Sequence, residues 1–441
     1  MRRAFGIGAA LAPVFLLPAA LLLLDRAGVV DLDPRIDFHR SLVVNLVLYW
    51  MLATALVAAV VERAALAALA RANRLPLMLM AVSFVLSFLV VEVGVRVLQP
   101  AESLPWKMVP SPLLHHRNIH DHAATEHGVV IRTNEDGFRS AYSRAEFLTH
   151  DVRVAVLGDS FTFGQGVEAD QIATSVLERA LREKLGTDSV AVLNTGTVSY
   201  SPLIERTLFR AAVRHYRPTV TLLILDGNDI GDDWQYEQRN VGSADEPRFD
   251  LKEYKKPAFE IAALRLLAPA MPILTAPFEI LRRFRPGARD RHDYYNFELE
   301  IGGVVETNRW FILRHPPELT RPYFERTLDY VRDVAADARA AGSEFVLVVS
   351  PRFFHWNDDE CPENWTAHRY AVDEPYEYAY LEFFEEAAER VDFPVFPLLP
   401  AFEASDEFPL VFSHDPHWNA AGHRLVGEAL ASHLVDSKLL R

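Results

Sequence analysis

The segment at residues 151–167 determines how the C-terminal part of the chain can fold. It opens with a mostly apolar run, 152–157, which has the length and β-branched content of a buried parallel strand. Gly158 follows this run and permits the tight turn that closes a strand and opens a helix. Ser160 is therefore predicted at the carboxyl end of a strand and near a helix N-terminus, where free backbone N–H groups favour negative charge. Ligands bind at that edge of open α/β sheets.

Strand-like and helix-like runs alternate through the rest of the chain. The predicted strands are 152–157, 189–193, 219–225, 344–350 and 394–398. The predicted helices are 171–185, 203–216, 322–341, 376–391 and 419–435. Because strands that alternate with helices form parallel sheets covered on both faces, this pattern predicts a three-layer α/β/α fold with a five-stranded parallel sheet.

Long apolar runs fill the first hundred residues. Residues 4–24 carry no charge and are long enough to cross a bilayer, and residues 41–61 and 75–98 form two further runs of this kind. The basic start of the chain resembles a signal peptide, but the first run is too long and lacks a small-residue cleavage site. Buried core helices are the alternative interpretation. The crowding of three such runs favours a membrane segment at residues 1–99 with three transmembrane helices.

The basic residues around these runs predict an orientation. Arginines are more numerous on the side of the N-terminus (Arg2, Arg3, Arg63, Arg71, Arg74) than in the intervening loop (Arg26, Arg35, Arg40). The positive-inside rule then puts the N-terminus in the cytoplasm. After three spans the catalytic domain would lie on the extracytoplasmic side of the cell membrane, whereas a peripheral third run would leave it inside.

The formal net charge of −15 argues against nucleic acid as a partner.

Two stretches interrupt the alternating pattern. Residues 100–150 are interpreted as a connector, broken by prolines and rich in residues that suit zinc or copper (His115, His116, His120, Asp121, His122, His127), although no i,i+4 pair on a predicted helix supports a metal site. Residues 231–319 lack a strand–helix rhythm, so they are interpreted as an insertion that overhangs the site as a lid or substrate wall. The lone Cys361 excludes a disulfide within the chain.

Polar residues follow three of the predicted strands. Ser160 follows the first strand, Gly196 the second and Asn228 the third. In a parallel sheet these strand ends meet at one edge. The backbone N–H groups of Ser160 and Gly196 and the side-chain amide of Asn228 would together make an oxyanion hole with three donors. Each is also an ordinary turn residue, and Ser160 is also a common type of helix N-cap.

A fourth polar group precedes the last predicted helix. Asp415 and His417 are separated by Pro416, which stiffens the link, and a carboxylate so placed can orient an imidazole. An imidazole could then remove the proton of Ser160 and make it a nucleophile. A metal site at His414, Asp415, His417 and His423 is the alternative, but it leaves Ser160 and Asn228 without a role. Arg352, next to the end of the fourth strand, is expected to line the pocket.

These blocks resemble, in order, those of the SGNH (GDSL-type) hydrolase superfamily over about residues 130–441. Ser160 in GDSFTFG matches the nucleophile block, Gly196 the glycine block, Asn228 the asparagine block, and Asp415 with His417 the last block. The resemblance implies a flavodoxin-like fold at residues 151–441 and a Ser-His-Asp esterase without a metal or organic cofactor. The Asp-His interval is two here, against three in the common pattern. The Asp-x-His-Trp-Asn form is similar to that of alginate-type O-acetyltransferases, which place it before the serine.

Three classes of function follow from this resemblance. The first is a hydrolase that cleaves an acyl ester of a cell-envelope glycan, a lipid or a small molecule. The second is an O-acyltransferase that modifies an exported polysaccharide with the same triad. The third is a non-enzymatic membrane assembly protein that retains a worn SGNH fold, and the intact set of Ser160, Gly196, Asn228, Asp415 and His417 argues against it.

Overall fold

The computed structural model describes residues 108–126, 129–250, 297–364 and 374–440, with a few positions between 71 and 83. The described residues from 108 onward belong to one compact unit, whose bounds are residues 100–256 and 293–441. The predicted spans at 4–24 and 41–61, and nearly all of the one at 75–98, lie outside the described residues. Among the positions that are described, no helix has the length and apolar character needed to cross a bilayer. The domain boundaries at residues 99 and 150 stay predictions.

The described part of this unit contains strands and helices in the following order. The strands are β1 (Met108–Ser111), β2 (His115–Asn118), β3 (Ala123–Glu126), β4 (Val129–Arg132), β5 (Val152–Leu157), β6 (Val190–Asn194), β7 (Val220–Leu225), β8 (Leu299–Ile301), β9 (Val304–Glu306), β10 (Glu344–Val349) and β11 (Val395–Pro397). The helices are α1 (Arg144–Phe147), α2 (Ser160–Phe163), α3 (Ala173–Leu185), α4 (Pro202–Ala211), α5 (Gly227–Arg239), α6 (Pro317–Ala340), α7 (Ala379–Ala387), α8 (Leu399–Glu403) and α9 (Ala420–Asp436).

Five of these strands form a single parallel sheet in the order β11-β10-β7-β5-β6. The predicted five-stranded parallel sheet is therefore confirmed. In its three central strands, β10, β7 and β5, 13 of the 18 residues are Val, Leu or Ile, as expected for strands that are covered on both faces. The register sets Val156 of β5 opposite Asn194 of β6 and Leu222 of β7.

The strand order creates a crevice beside β5. The chain runs from β5 outward to β6, and then returns past β5 to β7 on its other side. The connections that leave the carboxyl ends of β5 and β7 therefore diverge to opposite faces of the sheet, and such a switch point is where open α/β sheets bind ligands. Ser160 follows β5 and Asn228 follows β7, so both lie at this crevice.

Helices cover both faces of the sheet. On one face α9 packs against α3, and this approach is close because Gly427 has no side chain. A Cβ atom at Gly427 would lie 2.7 Å from the carbonyl oxygen of Ala173 and 2.6 Å from Cβ of Val176. On the other face α6 packs against α4, α5 and α7. The three-layer arrangement that the alternating sequence predicts is thus present.

The longest helix begins earlier than its sequence predicts. The predicted start was Pro322, but α6 begins at Pro317 and Pro322 lies inside it. Proline suits the first turn of a helix because its missing N–H has no intrahelical partner there, and Pro317 takes that position. Pro322 leaves one carbonyl of the first turn unpaired, which solvent can satisfy, so α6 tolerates it.

The connector contains strands that its sequence does not predict. β1 pairs with β2 and β3 with β4, each as an antiparallel hairpin. The hairpins are tied to the loop after β6, since His116 Nε2 lies 2.7 Å from the Val198 carbonyl oxygen and Asn118 Nδ2 donates to Thr197 Oγ1 at 3.1 Å. Phe138 is buried in the core. In the part of the connector that is described, no group of three metal-ligating side chains is arranged to hold an ion.

The predicted insertion begins inside a helix. α5 runs from Gly227 to Arg239 without a break at residue 231, and residues 251–296 lie outside the described residues. Of the insertion's described aromatic residues, Trp310 is fully buried and Trp234 packs against Phe297 with ring centroids 4.8 Å apart. These rings fill the interior of the unit. The role of the insertion as a lid or substrate wall stays a prediction.

Candidate active site

A tight turn presents Ser160 at the end of β5. Gly158 has φ +154°, and a Cβ atom there would lie 2.0 Å from Thr162 Oγ1, so only glycine fits this turn. Asp159 caps the following single-turn helix, since its Oδ1 accepts the Phe161 N–H at 2.9 Å. Ser160 is the first residue of that helix and is 7% exposed. The cap of α2 is therefore Asp159, which leaves the hydroxyl of Ser160 available for other partners.

The structure brings Ser160, His417 and Asp415 together. Ser160 Oγ lies 2.7 Å from His417 Nε2, and His417 Nδ1 is hydrogen-bonded to Asp415 Oδ1. Asp415 Oδ1 also accepts the backbone N–H of His417 at 3.1 Å, so the two-residue interval across Pro416 closes a small ring. Because a carboxylate only accepts, the proton of a neutral His417 lies on Nδ1, and Nε2 is left to accept from Ser160.

The residues after His417 fix the loop that carries it. Asn419 caps α9 by accepting the N–H groups of Ala421 and Gly422 at 2.8 and 3.1 Å. Trp418 is buried, and its ring meets that of Phe161 edge-on with centroids 4.9 Å apart. Phe161 also contacts the His417 ring at 4.7 Å. The Trp and Asn that follow the histidine in the sequence thus set the position of its ring.

Arg139, in the GFR segment before β5, supports the nucleophile turn from the other side. It is 4% exposed, and its guanidinium donates to the carbonyl oxygens of Phe163, Gly164 and Val167 at 3.1, 2.6 and 2.7 Å. These carbonyls belong to the end of α2 and the loop beyond it. No local sequence signal predicts this contact, because the partners lie 24 to 28 residues away along the chain.

Replacing Arg139 with methionine should lower the free energy of unfolding by about 3 kcal/mol, because three carbonyls lose their buried donor. Urea unfolding at pH 7 measures this. Arg179 is the matched control, since it is exposed and donates to a single carbonyl, that of Asp170. Arg179→Met should change stability by less than about 0.5 kcal/mol. Equal effects of the two substitutions would show that Arg139 does not support the turn.

Asn228 lies beside the nucleophile turn, at the start of α5. Its Oδ1 accepts from Arg352 Nη2 at 2.6 Å. Its Nδ2 lies 3.3 Å from Asp159 Oδ2, 3.3 Å from Asp229 Oδ1 and 3.2 Å from Asp232 Oδ2. Asp159 Oδ2 is in turn 3.4 Å from Ser160 Oγ. The NH₂ group of the amide therefore lies on the side of Asp159, next to Ser160, and its three contacts are all long for hydrogen bonds.

Gly196 is close to the nucleophile helix, but its N–H already has an acceptor. The group donates to Asn194 Oδ1 at 3.0 Å in an Asx turn. A Cβ atom at this position would lie 2.4 Å from the backbone nitrogen of Phe163, so the glycine permits close packing of the two segments. The structure thus gives Gly196 a packing role. To act as the predicted donor, its N–H must leave Asn194.

The other residues singled out around the site lie apart from the triad. His414 is exposed, whereas His423 is buried in α9, and its Nδ1 accepts the Ala173 N–H at 3.2 Å. Burial lowers the pKa of His423 to about 3, so the ring is neutral at physiological pH. Cys361 is buried, and burial raises its thiol pKa to about 12. Arg352 is buried next to Asn228, and its expected place in the lining of a pocket stays a prediction.

Buried carboxyl groups surround the floor of the site. Burial, followed by the charge of Asp226, raises the pKa of Asp159 to about 6, while the Arg352 guanidinium opposes this shift. Burial likewise raises the pKa of Asp233 to about 7 and that of Glu205 and Asp229 well above their usual range. These groups hold protons in the folded state at pH values where the unfolded chain has released them. Their contribution to stability is therefore lost as pH rises.

Glu205→Gln should become more stable relative to the wild type as pH rises. Both carboxyl oxygens of Glu205 lack a hydrogen-bond partner, and ionisation in this place is unfavourable. Glutamine cannot ionise, so the difference in unfolding free energy should grow by more than about 1 kcal/mol between pH 5 and pH 8. Urea unfolding at both pH values tests this, with the exposed Glu389→Gln as control. A pH-independent difference would contradict it.

The sequence matches no family model and no curated protein. Solved structures that resemble the fold include a lipolytic protein assigned to the G-D-S-L family from Desulfitobacterium hafniense DCB-2, with 13% identity, a TM-score of 0.34 and coverage of 66% of this chain and 100% of that one. The psychrotrophic esterase EstA from a Pseudoalteromonas species has 11% identity, a TM-score of 0.34 and coverage of 65% and 99%. The lipase/acylhydrolase from Enterococcus faecalis has 11% identity, a TM-score of 0.35 and coverage of 65% and 96%.

Proposed function

We propose that this chain is a serine esterase of the SGNH type that cleaves acyl esters through Ser160, His417 and Asp415. The observation that carries the proposal is the continuous hydrogen-bonded relay from Ser160 Oγ through the His417 ring to Asp415. The relay lies at the carboxyl edge of the parallel sheet, beside the strand-order switch. A hydroxyl, a neutral imidazole and a carboxylate in this order are the groups that acyl transfer requires.

The proposed reaction has two halves. His417 Nε2 takes the proton of Ser160 as Oγ attacks the ester carbonyl, and Asp415 stabilises the imidazolium that forms. Collapse of the tetrahedral intermediate releases the alcohol, which takes the proton from His417, and leaves an acyl-Ser160 ester. Water, activated by the same imidazole, then attacks this ester and frees the carboxylic acid. These steps need no metal or organic cofactor.

The oxyanion would be held by the Ser160 N–H and the Asn228 amide. The three contacts of Asn228 Nδ2 are 3.2 to 3.3 Å long, so an oxyanion at a shorter distance would compete well for its hydrogens. The N–H of Gly196 would join them if the acyl group displaced it from Asn194. We treat Ser160 and Asn228 as the two principal donors.

We propose further that the acyl ester belongs to a cell-envelope glycan, a lipid or a small molecule. We also propose that the enzyme is a multi-pass protein of the cell membrane with its catalytic domain outside the cytoplasm. The support is the three apolar runs of the first hundred residues and the arginines around them. Maleimide labelling of intact cells that carry Asp188→Cys would test the orientation, because Asp188 is exposed and the native Cys361 is buried. Labelling only after lysis would put the domain inside.

The experiment that tests the proposed reaction is the turnover of p-nitrophenyl acetate by the full chain in mild detergent, with and without added oligosaccharide. Steady release of nitrophenol that sugars leave unchanged supports a hydrolase. Slow release that sugars accelerate, with acetylated sugar as product, would make the chain an O-acyltransferase. Failure to cleave acetyl and longer acyl esters, in a folded sample, would contradict an enzymatic role.

A further inference from the structure

Arg352 occupies a buried position directly behind the proposed oxyanion hole. It follows β10 and is 4% exposed. Its guanidinium lies between two aromatic rings, 4.6 Å from the centroid of Phe161 and 4.7 Å from that of Trp310. Phe161 is the same ring that contacts His417. Contact of a guanidinium with aromatic faces is favourable for arginine.

The guanidinium of Arg352 also joins two side chains from the start of α5, those of Asp226 and Asn228. Its Nε donates to Asp226 Oδ1 at 2.8 Å, its Nη2 forms an ion pair with Asp226 Oδ2, and Nη2 also donates to Asn228 Oδ1 at 2.6 Å. Asp226 is itself the N-cap of α5. The carboxylate thus anchors the guanidinium, and an N–H of Nη2 is directed at the amide oxygen of Asn228.

This contact decides which way the Asn228 amide points. A guanidinium has donors only, so the atom that faces Arg352 must be Oδ1. Nδ2 then faces the opposite way, toward three carboxyl oxygens, those of Asp159, Asp229 and Asp232. The nearest oxygen of Asp159, Oδ2, lies 3.4 Å from the hydroxyl oxygen of Ser160. A flipped amide would put its NH₂ group against the guanidinium and its oxygen against a carboxylate, and both contacts are unfavourable.

Resting on the proposed function, we propose that Arg352 is a positioning residue for the oxyanion hole. It holds Asn228 with the amide nitrogen directed at the place where negative charge develops. Arg352 itself does not touch the substrate. Its effect on the reaction passes through Asn228, so removing the guanidinium should affect kcat only while the Asn228 amide is present.

A double-mutant cycle tests this in the full chain with p-nitrophenyl acetate as substrate. Asn228→Ala should lower kcat by about 10²- to 10³-fold, as expected for the loss of one oxyanion donor. Arg352→Met should lower kcat by about 10- to 100-fold and change KM by less than about twofold. In the Asn228→Ala background the same Arg352 substitution should change kcat by less than about twofold.

A matched control separates positioning from folding. Arg206 is another buried arginine, 2% exposed, which pairs with Asp333 and lies over the ring of Tyr330 at 5.0 Å. Arg206→Met should lower the melting temperature but leave kcat near the wild-type value. If Arg352→Met does not fold, Arg352→Lys is used in the same cycle. An ammonium has three N–H donors but lacks the planar fork that holds Asp226 and Asn228 together, so this variant should also lower kcat.

The outcomes separate this inference from the proposed function. Losses of kcat that multiply in the double variant, or a wild-type kcat for Arg352→Met, would show that Arg352 does not act through Asn228. A non-multiplicative cycle with unchanged KM supports the inference. Wild-type turnover by Ser160→Ala would overturn the proposed reaction itself, whatever the cycle gives. Loss of turnover in Ser160→Ala together with a multiplicative cycle would overturn only the role of Arg352.

Discussion

Replacing Ser160 with alanine should lower kcat for ester cleavage by about 10⁴- to 10⁶-fold and leave the fold intact. The hydroxyl is the only nucleophile within reach of His417 Nε2 in the relay described above, at 2.7 Å. Its removal leaves no atom to form the acyl-enzyme. Ser160 is 7% exposed, and the other hydrogen bond of its hydroxyl, to Asp159 Oδ2, is 3.4 Å long, so removal of the hydroxyl should barely change stability.

The same prediction has an internal control. His417→Ala should cause a loss of the same order, because the hydroxyl then has no base. The double variant should be no slower than either single variant, since the two side chains act as one unit. Steady-state kinetics of the three proteins, with circular dichroism to check folding, measures this. A double variant that is much slower than both single variants would contradict a shared step.

Asp415→Asn should lower kcat by about 10⁴-fold at pH 7, with little change in KM. The Asp415 carboxylate accepts from His417 Nδ1 and from the backbone N–H of the same residue. An asparagine amide can donate to Nδ1, which moves the imidazole proton to Nε2. There the proton blocks transfer from Ser160 while the geometry is kept.

A matched substitution at the surface controls for this effect. Asp392 is exposed and pairs with Arg339 at 2.8 Å, and it has no role in the proposed reaction. Asp392→Asn should leave kcat unchanged and alter stability by less than about 0.5 kcal/mol. A loss of less than tenfold for Asp415→Asn would mean that Asp415 does not orient the His417 ring.

The sheet could be predicted from the sequence because its strands are short, apolar and separated by helices. All five strands are found within two residues of the predicted bounds. The hairpins β1–β2 and β3–β4 were harder to predict, since β2 (HHRN) and β3 (AATE) show neither alternating polarity nor a run of large apolar residues, and the apolar runs of β1 and β4 are only three residues long. What stabilises them is contact with distant parts of the chain, such as that between His116 and Val198. Such long-range contacts cannot be predicted from the local sequence.

In the candidate site, too, some residues could be predicted from the sequence and some contacts could not. Ser160, Asp415 and His417 stand at strand or helix ends, where polar residues are visible as interruptions of an apolar pattern, and the fold brings them together. The sequence does not show whether the N–H of Gly196 is free to act as a donor. This group donates to Asn194 Oδ1 in an Asx turn, and that contact depends on the rotamer of the Asn194 side chain. The contact of Arg352 with Asn228 spans 124 residues, and no local pattern predicts where a guanidinium will point.

In the proposed reaction, Ser160 carries the acyl group between the two halves of the cycle. The most direct test is to mix the full chain with p-nitrophenyl acetate, quench in acid within the first turnovers, and locate the added mass by peptide mass spectrometry. We expect one acetyl group, on Ser160, in the wild type and none at this position in His417→Ala over the same time. An active protein whose quenched peptides carry the acetyl group elsewhere, or carry none while product is still released, would contradict it.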